Sequence, residues 1–424
     1  MIAAATETTG ALDWFDAAAA FGMLWPFWPV LGVSFAVALV LTPVVRGFAR
    51  RHKIVDVPDL RRKNHAKPVA YLGGLAIFIA WLAGVVVSYL LTPQATAAGY
   101  ERIMLQSLPV SILVGAGVIT LTGLIDDVYG IPARMKIGGQ LFAAAALTWD
   151  RVAISLTERL FGLVGVVPGE SLIYFAATFL VAVFVVGGCN AVNLLDGLDG
   201  LAGGVVVIAM TGLLAIAVLA GLNPDIALMK LDSATRLVLS LATVGAVLGF
   251  LVYNWNPASI FMGDAGSLLL GFLCVTAVLL FGDLGSWSPK LVTAGLIVLA
   301  LPITDTSLAI VRRKVRGQPV FSPDNQHLHH LLRRAGLSVK QSVGVMYAAA
   351  AGFAVIGVAF VAFEVPWRYS LGFCGLLYLI IMAAAFVYGA RCLARDRERK
   401  EAVGSGGAEV GRPTGPSGAA VGGS

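Results

Sequence analysis

Charged residues are scarce in this 424-residue sequence. Asp, Glu, Lys and Arg together make up 13% of it, whereas they form about a quarter of a typical soluble domain. Apolar residues make up 58%, and the mean hydropathy is +0.85. The scarcity of charge excludes a soluble fold and indicates that the lipid bilayer is the main solvent. The net charge of +6 is also typical of nucleic-acid binding, but that function needs a solvated basic face, so we expect no nucleic-acid partner.

Cysteine is also rare, and the four cysteines are widely spaced. This spacing excludes a disulfide framework and a CxxC metal site, so we expect all four to be packing residues. They are Cys189, Cys274, Cys374 and Cys392. The first 25 residues lack the basic start of a secretory signal and contain Glu7, Asp13 and Asp16, so we expect no cleaved signal peptide.

Long apolar runs, by contrast, recur along the chain. A transmembrane helix needs about 20 mostly apolar residues, and backbone polar groups in lipid must be hydrogen-bonded within the segment, so each run is interpreted as a helix. We predict an all-α polytopic membrane protein with about eleven transmembrane helices. The runs are 27–48, 71–92, 107–125, 136–150, 171–189, 200–221, 235–253, 267–282, 290–311, 341–363 and 370–391. The fourth is short and could be tilted or partly re-entrant.

The positions of the basic residues predict the orientation of these helices. With the N-terminus outside, 23 of the 30 lysines and arginines fall in cytoplasmic segments, and such a bias marks the cytoplasmic side. We predict an extracytoplasmic segment at 1–26, a transmembrane domain at 27–391 and a flexible cytoplasmic tail at 392–424, where Gly, Ser and Pro become frequent. No repeat of fixed period is visible, which disfavours transporters built from two related halves.

The cytoplasmic loops are predicted to carry the chemistry, because they contain more polar residues than a connection needs. These loops are 49–70, 125–136, 189–200, 254–267 and 312–340. In the second of them, Asp126 and Asp127 are adjacent and are followed by Arg134 and Lys136. Two adjacent carboxylates at a helix end with basic residues close behind are more than a loop needs, although an acidic pair solvated in the headgroup region is the alternative.

The next two loops combine glycines with carboxylates and amides. Glycines let backbone N–H groups approach an anion closely, and carboxylate and amide oxygens suit Mg²⁺, which takes one or two protein carboxylates and substrate phosphates. Phe261, three residues before Asp264, could stack on a nucleobase, although a Phe at a membrane interface is usually an anchor. The polar and aromatic residues in question are Asn190, Asn193, Asp196, Asp199, Asn254, Phe261 and Asp264.

The last loop is basic and contains three of the five histidines, His327, His329 and His330. A zinc site is the alternative, but the neighbouring arginines oppose a second cation and favour phosphate. The basic residues of loop 49–70, which include Lys67, could simply contact lipid headgroups. Cations for phosphate, carboxylates for a metal and an aromatic residue for a base predict two substrates, a nucleotide diphosphate compound and a phosphorylated lipid.

From about residue 50 to 340, these segments resemble the polyprenyl-phosphate N-acetylhexosamine-1-phosphate transferases of the WecA/MraY type. The sequence His327-Leu328-His329-His330 resembles the HxHH form of enzymes that use UDP-N-acetylglucosamine or a close relative. The muramoyl-pentapeptide branch has three consecutive histidines, so phospho-N-acetylmuramoyl-pentapeptide transfer is the alternative. A transporter of nucleotide-sugars or lipid-linked sugars is the alternative from another class, but it would place ionisable groups near the midplane of the membrane, whereas nearly all of them here lie at cytoplasmic helix ends. The exception is Asp305, which could pair with Arg312 or Arg313.

The resemblance implies transfer of a sugar-1-phosphate from a UDP-N-acetylhexosamine to polyprenyl phosphate, with release of UMP, at the cytoplasmic face of the bacterial plasma membrane. It implies Mg²⁺, with Mn²⁺ as the alternative, bound by Asp264 with Asn193 or Asp196 assisting. The oligomeric state stays open, with a homodimer as one alternative.

The resemblance also implies the substrate contacts. Asp126 and Asp127 would position or deprotonate the lipid phosphate, and Lys136 would hold the diphosphate. His327, His329 and His330, with Arg312 or Arg313, would neutralise phosphate or contact the sugar. The remaining substrate-binding residues, most of them for uridine, would be Lys67, Asn190, Gly197, Leu198, Asp199, Asn254 and Phe261. The basic stretch at 58–74 has one extra residue before His65, a departure from the family pattern.

Overall fold

The computed structural model describes residues 16–56, 68–97, 108–223, 233–315, 317–319 and 326–408. Helices dominate this part of the chain, so the predicted all-α class is confirmed. They are α1 (Ala17–Leu24), α2 (Trp28–Arg51), α3 (Gly73–Ala97), α4 (Val110–Tyr129), α5 (Ala133–Trp149), α6 (Ile154–Leu163), α7 (Glu170–Leu195), α8 (Leu201–Leu222), α9 (Ser233–Asn254), α10 (Gly263–Leu279), α11 (Ser288–Val298), α12 (Ala300–Val315), α13 (Leu328–Arg334), α14 (Val339–Ala362) and α15 (Trp367–Ala408). Two short strands, β1 (Val55–Asp56) and β2 (Val69–Ala70), form an antiparallel hairpin.

The described residues contain fewer candidate transmembrane helices than the eleven predicted. Among the described residues, nine helices are long and apolar enough to cross a membrane, or ten if α11 and α12 form one span. These two helices are bent by 71°, although the apolar run through them is continuous. The second difference is α5, which has only 17 residues and is short for a span of about 20.

Helices extend beyond both predicted ends of the transmembrane domain. The first span is described from Ala17, ten residues before the predicted boundary, because α1 leads almost directly into α2. At the other end α15 continues to Ala408, so the first part of the predicted flexible tail is helical. Charged residues alone do not end a helix, since Arg and Glu are good helix formers.

Helix α10 lies at the centre of the bundle. All of its membrane-spanning window is buried inside the protein, and α3, α4 and α7 pack around it. Gly74 of α3 and Gly266 of α10 let the two backbones touch, since a Cβ atom on Gly74 would lie 2.1 Å from the Gly266 nitrogen. By contrast, Phe175 on the outer face of α7 is 72% exposed, as expected for a lipid-facing residue. The start of α10 is therefore held on three sides.

The β-hairpin positions the loop that precedes α10. Ala70 of β2 forms a parallel bridge with Ile260, and its carbonyl accepts a hydrogen bond from the Phe261 N–H at 2.8 Å. Gly73 N–H in turn donates to the Phe261 carbonyl at 3.0 Å. The loop carrying Phe261 is thus fixed by backbone hydrogen bonds to the start of α3.

Candidate active site

The helix ends near this loop surround a cavity of about 380 Å³. Its walls come from the end of β1, the residue after β2, the α7–α8 loop, the loop before α10, and helices α13 and α14. The lining residues are Asp56, Tyr71, Asn193, Asp196, Gly197, Leu198, Asp199, Asn256, Phe261, Gly263, Asp264, His330 and Val339. Polar groups from distant parts of the chain therefore converge on one cavity, which is typical of a ligand site.

Asp264 is held in the first turn of α10 by two partners. Its Oδ1 atom accepts a hydrogen bond from Asn193 Nδ2 at 2.9 Å, and its Oδ2 atom lies 2.6 Å from Lys136 Nζ. Asn193 is fixed in turn, because its amide group also donates to Ser267 Oγ at 2.9 Å. Lys136 lies 2.6 Å from Asp126 Oδ2 as well, so one ammonium group bridges two carboxylates.

The adjacent residues Asp126 and Asp127 have different surroundings. Asp127 caps α10, since its Oδ1 atom accepts the Asp264 N–H at 2.7 Å and its Oδ2 atom accepts the Ala265 N–H at 3.1 Å. Such caps satisfy N–H groups that have no partner within the helix. Gly263 makes this contact possible, because a Cβ atom there would lie 2.4 Å from Asp127 Oδ2. Asp126 instead faces Lys136 and accepts the Ile131 N–H at 2.9 Å.

Asp196 adds a further carboxylate to the cavity. Burial, followed by the negative charges of Asp264, Asp127 and Asp199, raises the pKa of Asp196 to about 8. These carboxylates therefore repel one another, and a cation among them would relieve the repulsion. Within the described residues, no group of three His, Cys, Asp or Glu side chains could hold a metal by itself. The donor set nevertheless fits Mg²⁺, which commonly takes one or two carboxylates and completes its shell with water and substrate phosphates.

Asp199 and Phe261 also line the cavity. Asp199 Oδ2 accepts hydrogen bonds from Asn256 Nδ2 at 2.8 Å and from the Ala258 N–H at 3.0 Å. The ring of Phe261 lies 6.1 Å from that of Tyr71, so two neighbouring aromatic side chains line the cavity. Burial is the main cause of a raised pKa of Tyr71, and the charge and a hydrogen bond of Asp56 contribute.

The three histidines of helix α13 and its cap have different surroundings. His330 lines the cavity. His327 Nδ1 lies 3.0 Å from Asp305 Oδ2, and His329 is only 1% exposed. His329 packs against Gly197, where a Cβ atom would lie 2.6 Å from its Nε2 atom. Burial, followed by the charge of His330, lowers the pKa of His329 to about 3, so His329 is neutral at neutral pH.

Eight of the residues predicted from the sequence line the cavity. They are Asn193, Asp196, Gly197, Leu198, Asp199, Phe261, Asp264 and His330. Asp126, Asp127 and Lys136 contact this set through Asp264 or its backbone. His327 and His329 lie behind His330, with ring centroids of His329 and His330 4.1 Å apart.

Five other predicted residues are placed differently. Asn190 Nδ2 donates to Gln140 Oε1 at 3.1 Å and to the Val186 carbonyl at 2.7 Å, so Asn190 joins α7 to α5 behind the cavity wall. Asn254 is buried and ties two loops together through the Gly200 N–H and the Ile260 carbonyl. Arg312 and Arg313 are buried in the last turn of α12 and are not among the lining residues. Lys67 lies outside the described residues.

Several lining residues are absent from the set predicted from the sequence, and one predicted pairing differs. Asp56 and Tyr71 reach the cavity through the β-hairpin, whose two-residue strands leave no periodic signal. Gly263 could have been found, since it directly precedes Asp264. Asp305, an ionisable residue in an otherwise apolar segment, was expected to pair with Arg312 or Arg313. Its Oδ2 atom lies 3.0 Å from His327 Nδ1, a partner that the sequence did not indicate.

Comparison with known proteins adds a family match and several relatives. Residues 109–282 match glycosyl transferase family 4. A probable undecaprenyl-phosphate N-acetylglucosaminyl 1-phosphate transferase of Bacillus subtilis is 37% identical over 317 residues, which cover 74% of this chain and 79% of the relative. A decaprenyl-phosphate N-acetylglucosaminephosphotransferase of Mycolicibacterium smegmatis is 35% identical, with 72% of this chain and 74% of the relative covered. An Escherichia coli undecaprenyl-phosphate alpha-N-acetylglucosaminyl 1-phosphate transferase is 29% identical over 81% of this chain and 85% of its own.

Proposed function

Because the chain belongs to glycosyl transferase family 4, we propose that it transfers N-acetylglucosamine-1-phosphate from UDP-N-acetylglucosamine to polyprenyl phosphate and releases UMP. The three relatives described above are all named for N-acetylglucosamine phosphate transfer to undecaprenyl or decaprenyl phosphate. The observation that carries the proposal is the position of Lys136 Nζ, 2.6 Å from both Asp126 and Asp264, where a diphosphate would meet a cation beside carboxylates.

The shape of the cavity supports a UDP-sugar as the donor. The uracil would lie against Phe261 at the end where Gly197, Leu198 and Asp199 line the wall, because a flat aromatic ring can stack on a base. The diphosphate would lie toward Asp264 and Lys136. His330 faces the same cavity and would contact the sugar or its phosphate.

Mg²⁺ is the metal that this donor set suits best, with Mn²⁺ as the alternative. Asp264 and Asp196 would hold it, with Asn193 orienting Asp264 through their 2.9 Å hydrogen bond. Bound there, Mg²⁺ would screen the negative charge of the diphosphate and stabilise the developing charge on UMP. After burial, the charges of Asp264, Asp127 and Asp199 contribute to the raised pKa of Asp196, about 8, and a cation at this position would offset those charges.

The reaction is proposed to be a single displacement. The lipid phosphate oxygen forms a bond to the β-phosphorus of the UDP-sugar, the bond to the bridging oxygen breaks, and UMP leaves with that oxygen and its electron pair. A phosphate monoester has a second pKa of about 6, so the lipid phosphate needs little base catalysis. Charge neutralisation by basic residues would therefore supply most of the rate enhancement.

The different surroundings of Asp126 and Asp127 assign them different roles in this mechanism. Asp127 would position Asp264, because both of its oxygens accept N–H groups at the start of α10. Asp126, which faces Lys136, is the better candidate to orient the lipid phosphate. Both oxygens of each carboxylate are engaged, which disfavours an aspartyl-phosphate intermediate. Exchange of labelled UMP into UDP-N-acetylglucosamine without lipid would support that covalent route.

The cytoplasmic face of the bacterial plasma membrane is the proposed location of the site. The lining residues lie at the helix ends that the basic loops follow, and such loops are cytoplasmic in most membrane proteins. The charged diphosphate of a UDP-sugar does not cross the hydrocarbon core unaided, so the site must open to the compartment that supplies the donor. Other UDP-N-acetylhexosamines and phospho-N-acetylmuramoyl-pentapeptide remain alternative donors for a substrate panel.

The test is UMP release by purified protein in detergent from UDP-N-acetylglucosamine, with polyprenyl phosphate and Mg²⁺. We expect release that requires all three components and is lost in Asp264→Ala. Gly138→Ala is the matched control, because nothing lies within 4 Å of the added Cβ atom. Inactive wild-type protein, or an Asp264→Ala variant as active as wild type, would contradict the proposal. Transport of the intact UDP-sugar into liposomes would favour a transporter instead.

A further inference from the structure

Asp305 is a fully buried carboxylate outside the cavity. It lies on α12, shortly after the bend between α11 and α12, and its side chain is 0% exposed. An ionised carboxylate is costly to bury unless hydrogen bonds compensate it. A buried ion pair is also often no more stabilising than well-packed apolar residues. Stability alone is therefore a weak explanation for an acid at this position.

Both oxygens of Asp305 are directed at the start of the histidine helix α13. The Oδ2 atom lies 3.0 Å from His327 Nδ1, and the Oδ1 atom accepts the Leu328 N–H at 2.8 Å. His327 is the N-cap residue of α13 but makes no side-chain capping hydrogen bond. Asp305 thus supplies from another helix the acceptor that the first turn of α13 needs.

The histidine rings connect Asp305 and the start of α13 to the cavity. The rings of His327 and His329 are stacked at an interplanar angle of 5°, with centroids 5.8 Å apart. His329 then contacts His330, with centroids 4.1 Å apart. A change in the position of His327 would therefore be passed to His330 through two packed rings.

We propose that Asp305 is a positioning residue for the transfer reaction. Its carboxylate holds His327 in the form with the proton on Nδ1, fixes the start of α13 and so places His330 in the cavity. Paired carboxylate and imidazole groups commonly fix the tautomer and the ring orientation in this way. The effect on catalysis rests on the proposed function, whereas the effect on His327 does not.

The substitution Asp305→Asn keeps the size of the side chain but removes the carboxylate, so it tests whether Asp305 orients His327 or only fills the space beside it. The Asn Oδ1 atom can still accept the Leu328 N–H, which directs the Nδ2 group at His327. Since Nδ2 is a donor, His327 Nδ1 must then act as the acceptor and its proton must move to Nε2. Thr304→Ala is the matched control, because Thr304 is buried on the same helix and its hydroxyl group donates within that helix, to the Ala300 carbonyl at 2.6 Å.

The first measurement is nitrogen NMR of ¹⁵N-histidine-labelled protein in nanodiscs, which is practical because the chain has five histidines. His327→Gln assigns the His327 signals. We expect wild type to show a protonated Nδ1 on His327, Asp305→Asn to move the proton to Nε2, and Thr304→Ala to match wild type. Wild-type protein with an unprotonated Nδ1, or an unchanged pattern in Asp305→Asn, would overturn the proposal.

The second measurement is kinetic and uses polyprenyl phosphate and UDP-N-acetylglucosamine. Loss of a carboxylate that orients a functional histidine typically costs about 10-fold to 100-fold in activity, and we expect that loss in Asp305→Asn and Asp305→Ala. If Asp305 acts through His330, the double variant Asp305→Ala/His330→Ala should be no less active than His330→Ala. Losses that multiply would overturn the proposal. Wild-type protein without transferase activity would contradict only the proposed function, since the NMR result is independent of it.

Discussion

The two sides of the cavity differ in how far their buried charges are compensated by neighbouring groups. On the acidic wall, which comprises Asp126, Asp127, Asp196 and Asp264, the ammonium group of Lys136 lies 2.6 Å from both Asp126 and Asp264, and burial with neighbouring carboxylates raises the pKa of Asp196 to about 8. On the histidine wall, comprising His327, His329 and His330 with Asp305 behind them, the carboxylate already has its partners and the pKa of His329 falls to about 3. The acidic wall thus keeps unbalanced charge for a ligand, whereas the histidine wall is internally compensated.

This difference indicates what a substitution should do on each side. On the acidic wall, removal of a charged group should change ligand binding and activity strongly. On the histidine wall, substitution of His327, His329 or Asp305 should act first on the position of α13 and on stability, and only through them on activity, whereas His330 lines the cavity itself. The predictions below test this contrast.

Lys136→Met should have the largest effect. It removes the cation that bridges Asp126 and Asp264 and that would meet the diphosphate. Loss of one preorganised electrostatic group typically costs about 100-fold to 1000-fold in rate, and we expect a loss of that size in UMP release. Arg134→Met is the control, because Arg134 is exposed and two residues away. Equal losses in both variants would show that general positive charge, and not the bridge, is what matters.

Asp196→Asn should stabilise the metal-free protein but weaken ligand binding on the acidic wall. Its raised pKa means that burial and neighbouring charges oppose the ionised form, so the ionised group destabilises the fold without metal. At pH 9 without divalent metal, we expect the variant to melt about 2 °C above wild type, which corresponds to a gain of roughly 1 kcal/mol in its free energy of unfolding. With Mg²⁺ and UDP-N-acetylglucosamine, the thermal shift of the variant should be smaller than that of wild type. A larger ligand-induced shift in the variant would exclude Asp196 from the metal site.

Gly197→Ala should affect both walls at once, since Gly197 lines the cavity and packs against His329. The added Cβ atom would lie 2.6 Å from His329 Nε2, so the loop or α13 must shift. We expect activity to fall about 10-fold, in line with the sensitivity of catalysis to displacements of about 1 Å. Gly187→Ala on α7 has nothing within 4 Å of its added Cβ atom and should keep wild-type activity.

His329→Gln should change how the stability of the protein depends on pH, because His329 is buried in its neutral form. The pKa of His329 is about 3 in the folded protein and about 6.5 in an unfolded chain, so the unfolded state binds more protons between these values. Wild type should therefore lose stability relative to the variant as pH falls below 6.5, by at most about 1.4 kcal/mol per pH unit. Thermal melting of both proteins from pH 7.5 to 5 measures this. A pH-independent difference would mean that His329 is not buried in its neutral form.

Most of the lining residues were predictable from the sequence, because the polar residues are concentrated between apolar runs. The pairing of distant residues was not predictable. That Asp127 caps α10 and Asp305 binds His327 depends on how α4 and α10, or α12 and α13, meet in space. The bend between α11 and α12 was hidden for a similar reason, since the apolar run continues through it and packing, not composition, sets the angle.

Asn190→Ala should have the smallest effect, and its comparison with Asn193→Ala tests this limit of sequence reasoning. The two residues are one helical turn apart on α7, and the sequence predicted ligand contacts for both. Asn190 bonds Gln140 of α5 and the Val186 carbonyl, so its loss should cost about 1 kcal/mol of stability and leave kcat/KM within about threefold of wild type. Asn193 donates to Asp264 at 2.9 Å, so Asn193→Ala should lower kcat/KM at least about 10-fold, since a hydrogen bond to a charged group is worth about 1.5–3 kcal/mol. If Asn190→Ala instead raised the KM for the UDP-sugar as much as Asn193→Ala did, α7 would have to present both side chains to the cavity in the active enzyme.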